Sequence, residues 1–345
     1  MKTPTIIHTS DIHIGANRRL PNYLSRYESM LNEIVMICQR EKADLLLIVG
    51  DIFDRKNVTE EERRLVLRWL LTLDDLNLKT LLCNGNHDEL DPRSSTVSIF
   101  KILEFSKRFN NIKIVDINHE LISYKGLDLD IACVPNIRHK NFKSIVFKLL
   151  EQSQATYKVL ASHGMCKGAI DKHFNGSNFK FEDGQVLKKQ VLKHFSYIAL
   201  GDIHTFQKIG LRTYYSGSPI QHNFGESLPK GVLKVKIGNK PKLIELKKPK
   251  KLITLTSPPK DGIWPKGYIL LRCKKSKIPK DLPDNVITKP EANKKNLREE
   301  VRNCLMKNQI EEYVEQFLKM KGVTGEKNKN LFTKLLTRFK NEAGV

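Results

Sequence analysis

The stretch LLLIVGDIFD, residues 45–54, decides the fold of this chain because it joins an apolar run to two aspartates. Residues 45–49 are leucine-rich and uncharged, which predicts a short strand buried on both faces. Asp51 and Asp54 follow at the point where that strand ends. The stretch therefore predicts a buried strand with carboxylates at its carboxyl end.

Four further apolar runs end in polar segments, at residues 5–9, 80–83, 159–161 and 198–200. The segments that follow are Asp11-Ile12-His13, Gly85-Asn86-His87-Asp88, Ser162-His163-Gly164 and Gly201-Asp202-Ile203-His204. Residues 23–41 carry apolar side chains at helical spacing, and residues 60–73 follow Thr59, an expected N-cap with Glu62 three residues later. This alternation predicts an α/β layered domain, in which ligands bind beyond the carboxyl ends of the strands.

Carboxylates, imidazoles and an amide at five strand ends indicate two divalent metal ions in one crevice. Mixed nitrogen and oxygen ligands fit manganese, iron or zinc better than calcium, whose sites are built from oxygen alone. Asp51 is the expected bridge between two ions about 3.5–4 Å apart, a spacing that suits hydrolysis of phosphate esters. Asn86 would supply a neutral oxygen ligand.

The local sequence also indicates how the side chains are arranged. Two pairs of candidate ligands, Asp11 with His13 and Asp202 with His204, are each separated by one isoleucine. The two side chains of each pair would therefore point to the same side of an extended segment. His87 is the predicted proton donor to the leaving alkoxide, because histidine titrates near neutral pH. Asp54 is predicted to orient His87, as a carboxylate behind an imidazole does.

Each segment also has an interpretation without metal. Asp51 and Asp54 could cap a helix or a turn, and residues 85–88 could form only a tight turn, since Gly and Asn tolerate positive φ. His163 by itself could be an ordinary loop histidine. The occurrence of all five segments in order, each at a strand end, favours the metal site.

The segments resemble the motifs of the calcineurin-like metallophosphoesterases, which are D-x-H, G-D-x-x-D, G-N-H-D or G-N-H-E, a later His, and G-H-x-H. Within that superfamily the chain resembles the SbcD-type DNA repair nucleases of bacteria and phages. The stretches that carry this closer resemblance are DIHIG at 11–15, GDIFD at 50–54, YSGSP at 215–219 and FGE at 224–226. The last two have no obvious role in metal binding.

The resemblance implies a layered sandwich of β-sheets flanked by helices, with DNA as the substrate. It also implies two bound divalent ions, with manganese as the first choice and magnesium as the alternative. It implies exonuclease action on duplex ends and endonuclease action on single strands, by a water that the two ions activate. His87 would be the catalytic histidine. The implied metal ligands are Asp11, His13, Asp51, Asn86, His163, Asp202 and His204.

One position departs from the family pattern, because Asp202 replaces the first histidine of G-H-x-H. A carboxylate still binds metal but adds a negative charge. We expect activity to be kept, with preference shifted toward manganese or magnesium over softer ions. A catalytically inert scaffold is the competing interpretation of this residue.

Composition indicates a protein of several units. A chain of 345 residues can bury a large core and is expected to form two or three units. Its six cysteines are scattered without C-x-x-C spacing, which indicates reduced thiols. Because it has neither a signal-peptide pattern nor an apolar stretch of about 18 residues, we expect a soluble cytoplasmic protein without a membrane partner.

Positive charge is concentrated in the last third of the chain. The net charge is +22, and residues 229–345 hold 29 Lys and Arg against 12 Asp and Glu. DNA would be attracted to this surplus, with counterion release making the affinity salt-dependent. Basic runs are also ordinary solvated surface, and the sequence does not single out the lysines that touch phosphate.

Three segments are expected. Residues 1–247 would form the metallophosphoesterase domain, 248–290 a small α+β capping domain that faces DNA, and 291–345 a helical tail. The tail carries an amphipathic stripe, which indicates a partner. The resemblance implies the coiled coil of an SbcC-type ATPase, docking on the chain's own capping region is the alternative, and a homodimer stays open.

Two further functions compete with the nuclease. A phosphomonoesterase or protein phosphatase shares the metal site, and Arg55 after Asp54 fits the phosphatase form G-D-x-x-D-R. The basic last third, the Gly-Ser-Pro segment and the helical tail favour the nuclease. The inert scaffold rests on Asp202 alone.

Overall fold

The computed structural model describes residues 2–88, 109–116, 118–136, 141–171, 179–180, 192–226 and 229–289. The predicted tail, residues 291–345, lies outside these ranges. The strands in the described ranges are β1 (Thr5–Thr9), β2 (Leu45–Val49), β3 (Thr80–Cys83), β4 (Ile112–Val115), β5 (Glu120–Tyr124), β6 (Leu129–Asn136), β7 (Tyr157–His163), β8 (Ile170–Asp171), β9 (Phe179–Lys180), β10 (Tyr197–Gly201), β11 (Gln207–Gly210), β12 (Thr213–Tyr215), β13 (Gly231–Lys236), β14 (Lys242–Glu245), β15 (Leu252–Leu255), β16 (Tyr268–Leu271) and β17 (Val286–Thr288). The helices are α1 (Tyr23–Arg40), α2 (Glu60–Asp75) and α3 (Phe142–Gln152), with short 3-10 turns at Lys125–Leu127 and Lys275–Lys277.

The chain divides into two units by its internal contacts. The first comprises Met1–Leu271 and Pro279–Thr288, and the second comprises Arg272–Ile278 and Lys289–Val345. Of the second unit the structure describes residues 272–278 and 289, which include the turn Lys275–Lys277. All features below belong to the first unit.

Two six-stranded sheets form the body of the first unit. One has the order β14-β13-β1-β2-β3-β4, in which β1 to β4 are parallel, β13 is antiparallel to β1, and β14 is antiparallel to β13. The other has the order β11-β12-β10-β7-β6-β5, in which β12, β10, β7 and β6 are parallel. The five predicted strands are confirmed as β1, β2, β3, β7 and β10, and the last two are slightly longer than expected.

The sheets pack face to face and carry helices on their outer faces. Ile6, Leu47 and Val159 belong to a buried cluster that joins the two sheets. The outer face of the first sheet packs against α1 and α2, and the outer face of the second against α3. Successive residues of a strand point to opposite faces, so the uncharged runs are buried on both sides. The predicted layered α/β sandwich is confirmed.

The start of α2 confirms the N-cap expected from the sequence. The Thr59 side chain accepts the backbone N–H of Glu62, while the Glu62 carboxylate accepts the backbone N–H of Thr59. Glu62 is fully buried and also binds Arg18, with 2.6 Å between Oε2 and the guanidinium Nη2. This capping box stabilises the helix by satisfying N–H groups that no helical carbonyl reaches. It also ties α2 to the loop that follows β1.

A small parallel sheet, β15-β16-β17, packs beside the two large ones. The side-chain amide of Gln221 pairs with the backbone of Leu252, donating to its carbonyl at 3.2 Å and accepting its N–H at 3.0 Å. Tyr268 donates from its hydroxyl to the carbonyl of Pro21, and Arg26 donates to that of Lys250. These strands fall within the range expected for the capping domain, whose bounds and role stay predictions.

None of the helices that the structure describes is both long and apolar enough to span a bilayer.

His8 is a buried titratable group in β1. Its Nδ1 lies 2.9 Å from the hydroxyl of Tyr197, in β10 of the facing sheet. Burial lowers the pKa of His8 to about 3, although the carbonyl of Leu200 acts in the opposite direction. The unfolded chain binds a proton near pH 6.5, so it holds more protons than the folded chain between pH 6.5 and 3.

We expect the free energy of unfolding of the metal-free protein to fall on acidification, by about 1.4 kcal/mol per pH unit below pH 6 from this group. His8→Gln removes the titration and should reduce the slope, measured by denaturant unfolding at pH 7 and pH 5. His194→Gln, at an exposed histidine, is the matched control. Equal slopes in the wild type and His8→Gln would contradict the prediction.

Candidate metal centre

Five strand ends deliver their polar segments to one place. Asp11 follows β1, Asp51 follows β2, the turn at residues 85–88 follows β3, His163 ends β7, and Asp202 follows β10. Three groups of side chains have candidate ligand atoms within 4.8 Å of one another: Asp11 with His13 and His204, His13 with Asp54 and His87, and Asp11 with Asp51 and His163. Asp11 and His13 each belong to two groups, so the three form one continuous cluster.

Asp51 lies at the centre of the cluster. Its Oδ2 is 3.5 Å from Nε2 of His13 and 3.3 Å from Nε2 of His163. Its Oδ1 accepts the backbone N–H of His87 at 2.9 Å. Burial raises the pKa of Asp51, but His163 and His13 outweigh it and hold that pKa well below its usual range. A carboxylate between histidines of two sheets has the position expected of a bridging ligand.

His13 and His204 approach each other through their Nε2 atoms, which are 3.1 Å apart. Two unprotonated ring nitrogens at this distance repel unless a proton or a cation lies between them. Two nitrogen ligands at about 2.1 Å from one ion and at right angles are separated by about 3 Å. Asp11 completes this group. The arrangement fits a divalent cation.

His163 has one nitrogen fixed and one directed into the cluster. Nδ1 lies 2.9 Å from the carbonyl oxygen of Val49, which can only accept, so this nitrogen donates. Nε2 faces Oδ2 of Asp51 at 3.3 Å and Oδ1 of Asp202 at 3.8 Å. Burial lowers the pKa of His163, but Asp51 and further carboxylates raise it well above its usual value. A bound cation would replace that proton.

Asp202, which replaces a histidine of the family pattern, belongs to none of the three groups but lies next to two of their members, Asp11 and His163. Its backbone N–H donates to Oδ1 of Asp11 at 3.0 Å, and its carboxylate faces His163. Burial raises the pKa of Asp11, which shows how strongly the site disfavours unpaired negative charge. Oxygen and imidazole donors without cysteine suit manganese, iron or zinc.

The backbone does not have the extended form expected at these ligands. Asp11, His13 and Asp51 have φ values of 53°, 47° and 55°, and Asp202 has 98°. The expectation that the paired ligands share one side of an extended segment is therefore wrong. The side chains converge because the loops turn, and left-handed residues other than glycine cost about 1–3 kcal/mol each.

Hydrogen bonds between the first two loops offset this strain. The backbone N–H of Asp11 donates to the carbonyl of Gly50 and that of His13 to Asp51, both at 3.0 Å. Further along, Ile14 and Phe53 form a parallel bridge. The loops after β1 and β2 thus hold each other in the shape that presents the ligands.

His87 is oriented by Asp54, although not by its carboxylate. Nδ1 of His87 lies 2.6 Å from the main-chain carbonyl of Asp54 and therefore donates to it. The Asp54 carboxylate instead binds Arg55 at 2.9 Å and faces Nδ1 of His13 at 3.7 Å. His87 is half-buried, and its ring packs edge to face against that of His13. The roles of His87 and Asp54 as catalytic residues stay predictions.

Glycines next to the ligands allow this close packing. A Cβ on Gly85 would overlap Oδ1 of Asp51, and one on Gly50, where φ is +83°, would overlap Nδ1 of His163. Asn86 follows Gly85 as an exposed residue, directly before the N–H that binds Asp51. The backbone of the candidate amide ligand thus adjoins the N–H that binds the central carboxylate.

Asp88 connects two ligand loops and has no direct place in the cluster. It is fully buried and accepts the backbone N–H groups of Ile52, Phe53 and Gly85 at 3.3, 3.1 and 3.1 Å. Burial raises the pKa of Asp88 to about 7. The last residue of the G-N-H-D segment therefore positions Asp51 through its neighbours.

Residues 215–226 and Lys230 lie directly against the candidate ligands, although the sequence indicated no role for this segment in metal binding. Ser216 and Ser10 hydroxyls are 2.7 Å apart, and Ser10 also donates to Asp11. Other contacts reach Asp11 and His204: His222 Nε2 to the Asp11 carbonyl at 2.8 Å, Lys230 Nζ to the His204 carbonyl at 2.7 Å, and Glu226 Oε1 to His204 Nδ1 at 3.7 Å.

Sequence reasoning missed His222, Lys230 and the contact of Glu226. Burial lowers the pKa of His222 to about 3, and its ring packs beside those of His13 and His204. The motif at 215–219 and 224–226 was the available signal. It marked the segment without showing what it touches.

The chain is similar to known proteins in its sequence and, more weakly, in its structure. A family model described as calcineurin-like phosphoesterase matches residues 4–206. One solved crystal structure is 12% identical, with a TM-score of 0.45 over 70% of this chain and 99% of the other. The crystal structure of TT1561 of Thermus thermophilus is 14% identical, with a TM-score of 0.41 over 63% of this chain and 90% of the other. Both likenesses are too weak to indicate a function.

Gly85→Ala should lower manganese affinity at least tenfold, because the added Cβ displaces the carboxylate of Asp51. Thermal stability should fall as well, since the site is overpacked. Isothermal titration and thermal melts measure the two effects. Gly126→Ala is the matched control, because its Cβ would meet no atom within 4 Å. Wild-type affinity in Gly85→Ala would show that Asp51 is not a ligand.

Asp202→His should shift metal preference toward zinc relative to manganese, because a neutral nitrogen replaces a hard carboxylate oxygen. The readout is the ratio of the two dissociation constants. Asp75→His, at an exposed residue in the last turn of α2, controls for the substitution itself. An unchanged ratio would remove Asp202 from the ligand set.

Proposed function

The chain belongs to the calcineurin-like phosphoesterase family, and we propose that it is a manganese-dependent nuclease that hydrolyses DNA phosphodiesters. The observation that carries the proposal is the position of the segment at residues 215–226. This segment holds the motifs that distinguish SbcD-type nucleases in sequence, and its side chains contact Asp11 and His204. A motif that packs on the metal cluster can influence which phosphate ester the site accepts.

The residues of the cluster have separable tasks in this reaction. When bound, two divalent ions supply Lewis acidity and activate water for attack on phosphorus. Asp51 and the histidines on either side of it would hold the ions. As an imidazolium, His87 releases a proton from Nε2 to the leaving alkoxide, while its Nδ1 remains bound to the Asp54 carbonyl. That hydrogen bond keeps the ring aimed during the transfer.

Charge supports a nucleic acid as the substrate. The net charge is +22, and the lysines at 247, 248, 250 and 251 are exposed between β14 and β15. A polyanion releases counterions when it binds such a surface, so binding and cleavage should weaken with salt. Exonuclease action on duplex ends and endonuclease action on single strands are the activities we assign to this site.

The proposal includes the partners that the sequence indicates. An SbcC-type ATPase would bind through residues 291–345, which the structure does not describe, and residues 248–290 would face DNA. Such a partner would act as part of a DNA repair and recombination complex. A homodimer is compatible with the same assembly.

A phosphatase is the second candidate, because of one observation at the site. Arg55 follows Asp54, pairs with its carboxylate at 2.9 Å, and has 63% of its side chain exposed. An exposed guanidinium beside the cluster could bind the dianion of a phosphomonoester. The inert scaffold is weaker, since Asp202 keeps its contacts within the cluster.

The purified chain with manganese should degrade end-labelled duplex DNA and circular single-stranded DNA. His87→Ala should lower both rates at least about 100-fold, because it lacks the proton donor, while manganese binding persists. His119→Ala, at an exposed histidine, is the matched control. The measurement is product formation on denaturing gels, with a small aryl phosphate ester run alongside.

The alternatives give different results in the same assay. Cleavage of the small ester alone would identify a phosphatase. Cleavage of neither substrate would indicate a scaffold or a need for the ATPase partner, and adding that partner distinguishes these two.

A further inference from the structure

We propose that His222 is a positioning residue of the metal centre, which fixes Asp11 by a hydrogen bond and supports the rings of His13 and His204. Its loss should weaken metal binding although it is no ligand itself. The inference rests on the metal centre of the proposed function. His222 lies in the sequence between the Gly-Ser-Pro and Phe-Gly-Glu stretches, outside both.

The hydrogen bond determines which nitrogen of His222 carries the proton. Nε2 lies 2.8 Å from the carbonyl oxygen of Asp11. A carbonyl can only accept, so Nε2 donates. Nδ1 is buried and, among the described residues, has no hydrogen-bond partner. The hydrogen bond from Nε2 to Asp11 is therefore the polar contact by which this ring acts on the site.

Asp11 needs this contact because its backbone is strained. Its φ of 53° lies in the left-handed region, which is uncommon for residues other than glycine, although aspartate tolerates it better than most. Its N–H donates to Gly50, its carboxylate accepts from Ser10 and from the N–H of Asp202, and its carbonyl accepts from His222. His222 thus supplies the hydrogen bond to the carbonyl oxygen of Asp11, whereas the ligand loops themselves bind its N–H and its carboxylate. Without it, the peptide plane can rotate and carry the carboxylate away.

The ring of His222 also packs edge to face against two candidate ligands. Its centroid lies 5.1 Å from that of His13 and 5.2 Å from that of His204, at interplanar angles of 77° and 78°. These two rings form the close Nε2 pair, 3.1 Å apart. A single side chain therefore touches all three members of one group of candidate ligands.

The position of His222 suits an uncharged side chain that can donate a hydrogen bond to the Asp11 carbonyl. A lysine or arginine would bring positive charge next to bound cations. A leucine would fill the space but leave the Asp11 carbonyl unpaired. Loss of a residue that hydrogen-bonds to a metal ligand typically lowers the metal affinity 10- to 100-fold.

The test compares two polar substitutions with an apolar one in the full chain. The amide nitrogen of glutamine in His222→Gln can reach the place of Nε2, whereas the shorter side chain in His222→Asn reaches only that of Nδ1. Manganese affinity is measured by titration calorimetry and by the electron paramagnetic resonance signal of free manganese. Melting temperatures of the metal-free proteins are recorded separately.

We expect His222→Leu and His222→Asn to bind manganese about 10- to 100-fold more weakly, and His222→Gln to stay within a few fold of the wild type. His8→Leu removes a buried imidazole that contacts Tyr197 of the facing sheet. It should keep manganese affinity even if its melting temperature falls. If His222→Leu fails to fold, the comparison of Gln with Asn decides.

Wild-type affinity in His222→Asn, or equal affinities in the Gln and Asn variants, would overturn the inference. Asp51→Asn separates this outcome from failure of the proposed function. If Asp51→Asn loses manganese and the His222 variants do not, only the positioning role is wrong. If Asp51→Asn also binds manganese normally, the metal centre itself is wrong, and the inference falls with it.

Discussion

The buried carboxylate of Asp51, held between His13 and His163, is the contact on which the rest of the site depends. His13 follows a strand of one sheet, and His163 ends a strand of the other. This carboxylate therefore joins the two sheets at the carboxyl ends of these strands. A buried charge is tolerated only where opposite charge and hydrogen bonds surround it. Glycines are required at positions 50 and 85 because a Cβ would overlap Nδ1 of His163 at the first and Oδ1 of Asp51 at the second.

Strain in the ligand loops follows from this convergence. Strands of two sheets arrive from different directions, so Asp11, His13 and Asp51 turn through left-handed φ values to meet. Hydrogen bonds from loop to loop hold these shapes, and Asp88 and His222 add support from either side. A site held this way is organised before any cation binds, which limits the energy needed to assemble it.

Much of the fold was predictable, because strand and helix periods are local properties of the sequence. The five strands and the Thr59 capping box appeared where the pattern placed them. The geometry of the site was less accessible. The alternation around Ile12 predicted that Asp11 and His13 converge, but it assumed an extended backbone, and the loop instead turns through positive φ values. Asp54 contacts His87 through its carbonyl rather than its carboxylate. Backbone conformation after a strand depends on neighbours that local sequence does not name.

The sequence by itself determined the chemistry of the site, because residue types and their order at strand ends set which donors are available. It determined the layered fold for the same reason, since apolar period and length decide strand and helix. Only the tertiary structure decided which donors meet, which nitrogen of His163 and of His222 donates to a backbone carbonyl, and that His222 reaches Asp11 across 211 positions of chain. Such contacts depend on how two sheets pack, and packing is a property of the whole chain rather than of any segment in it.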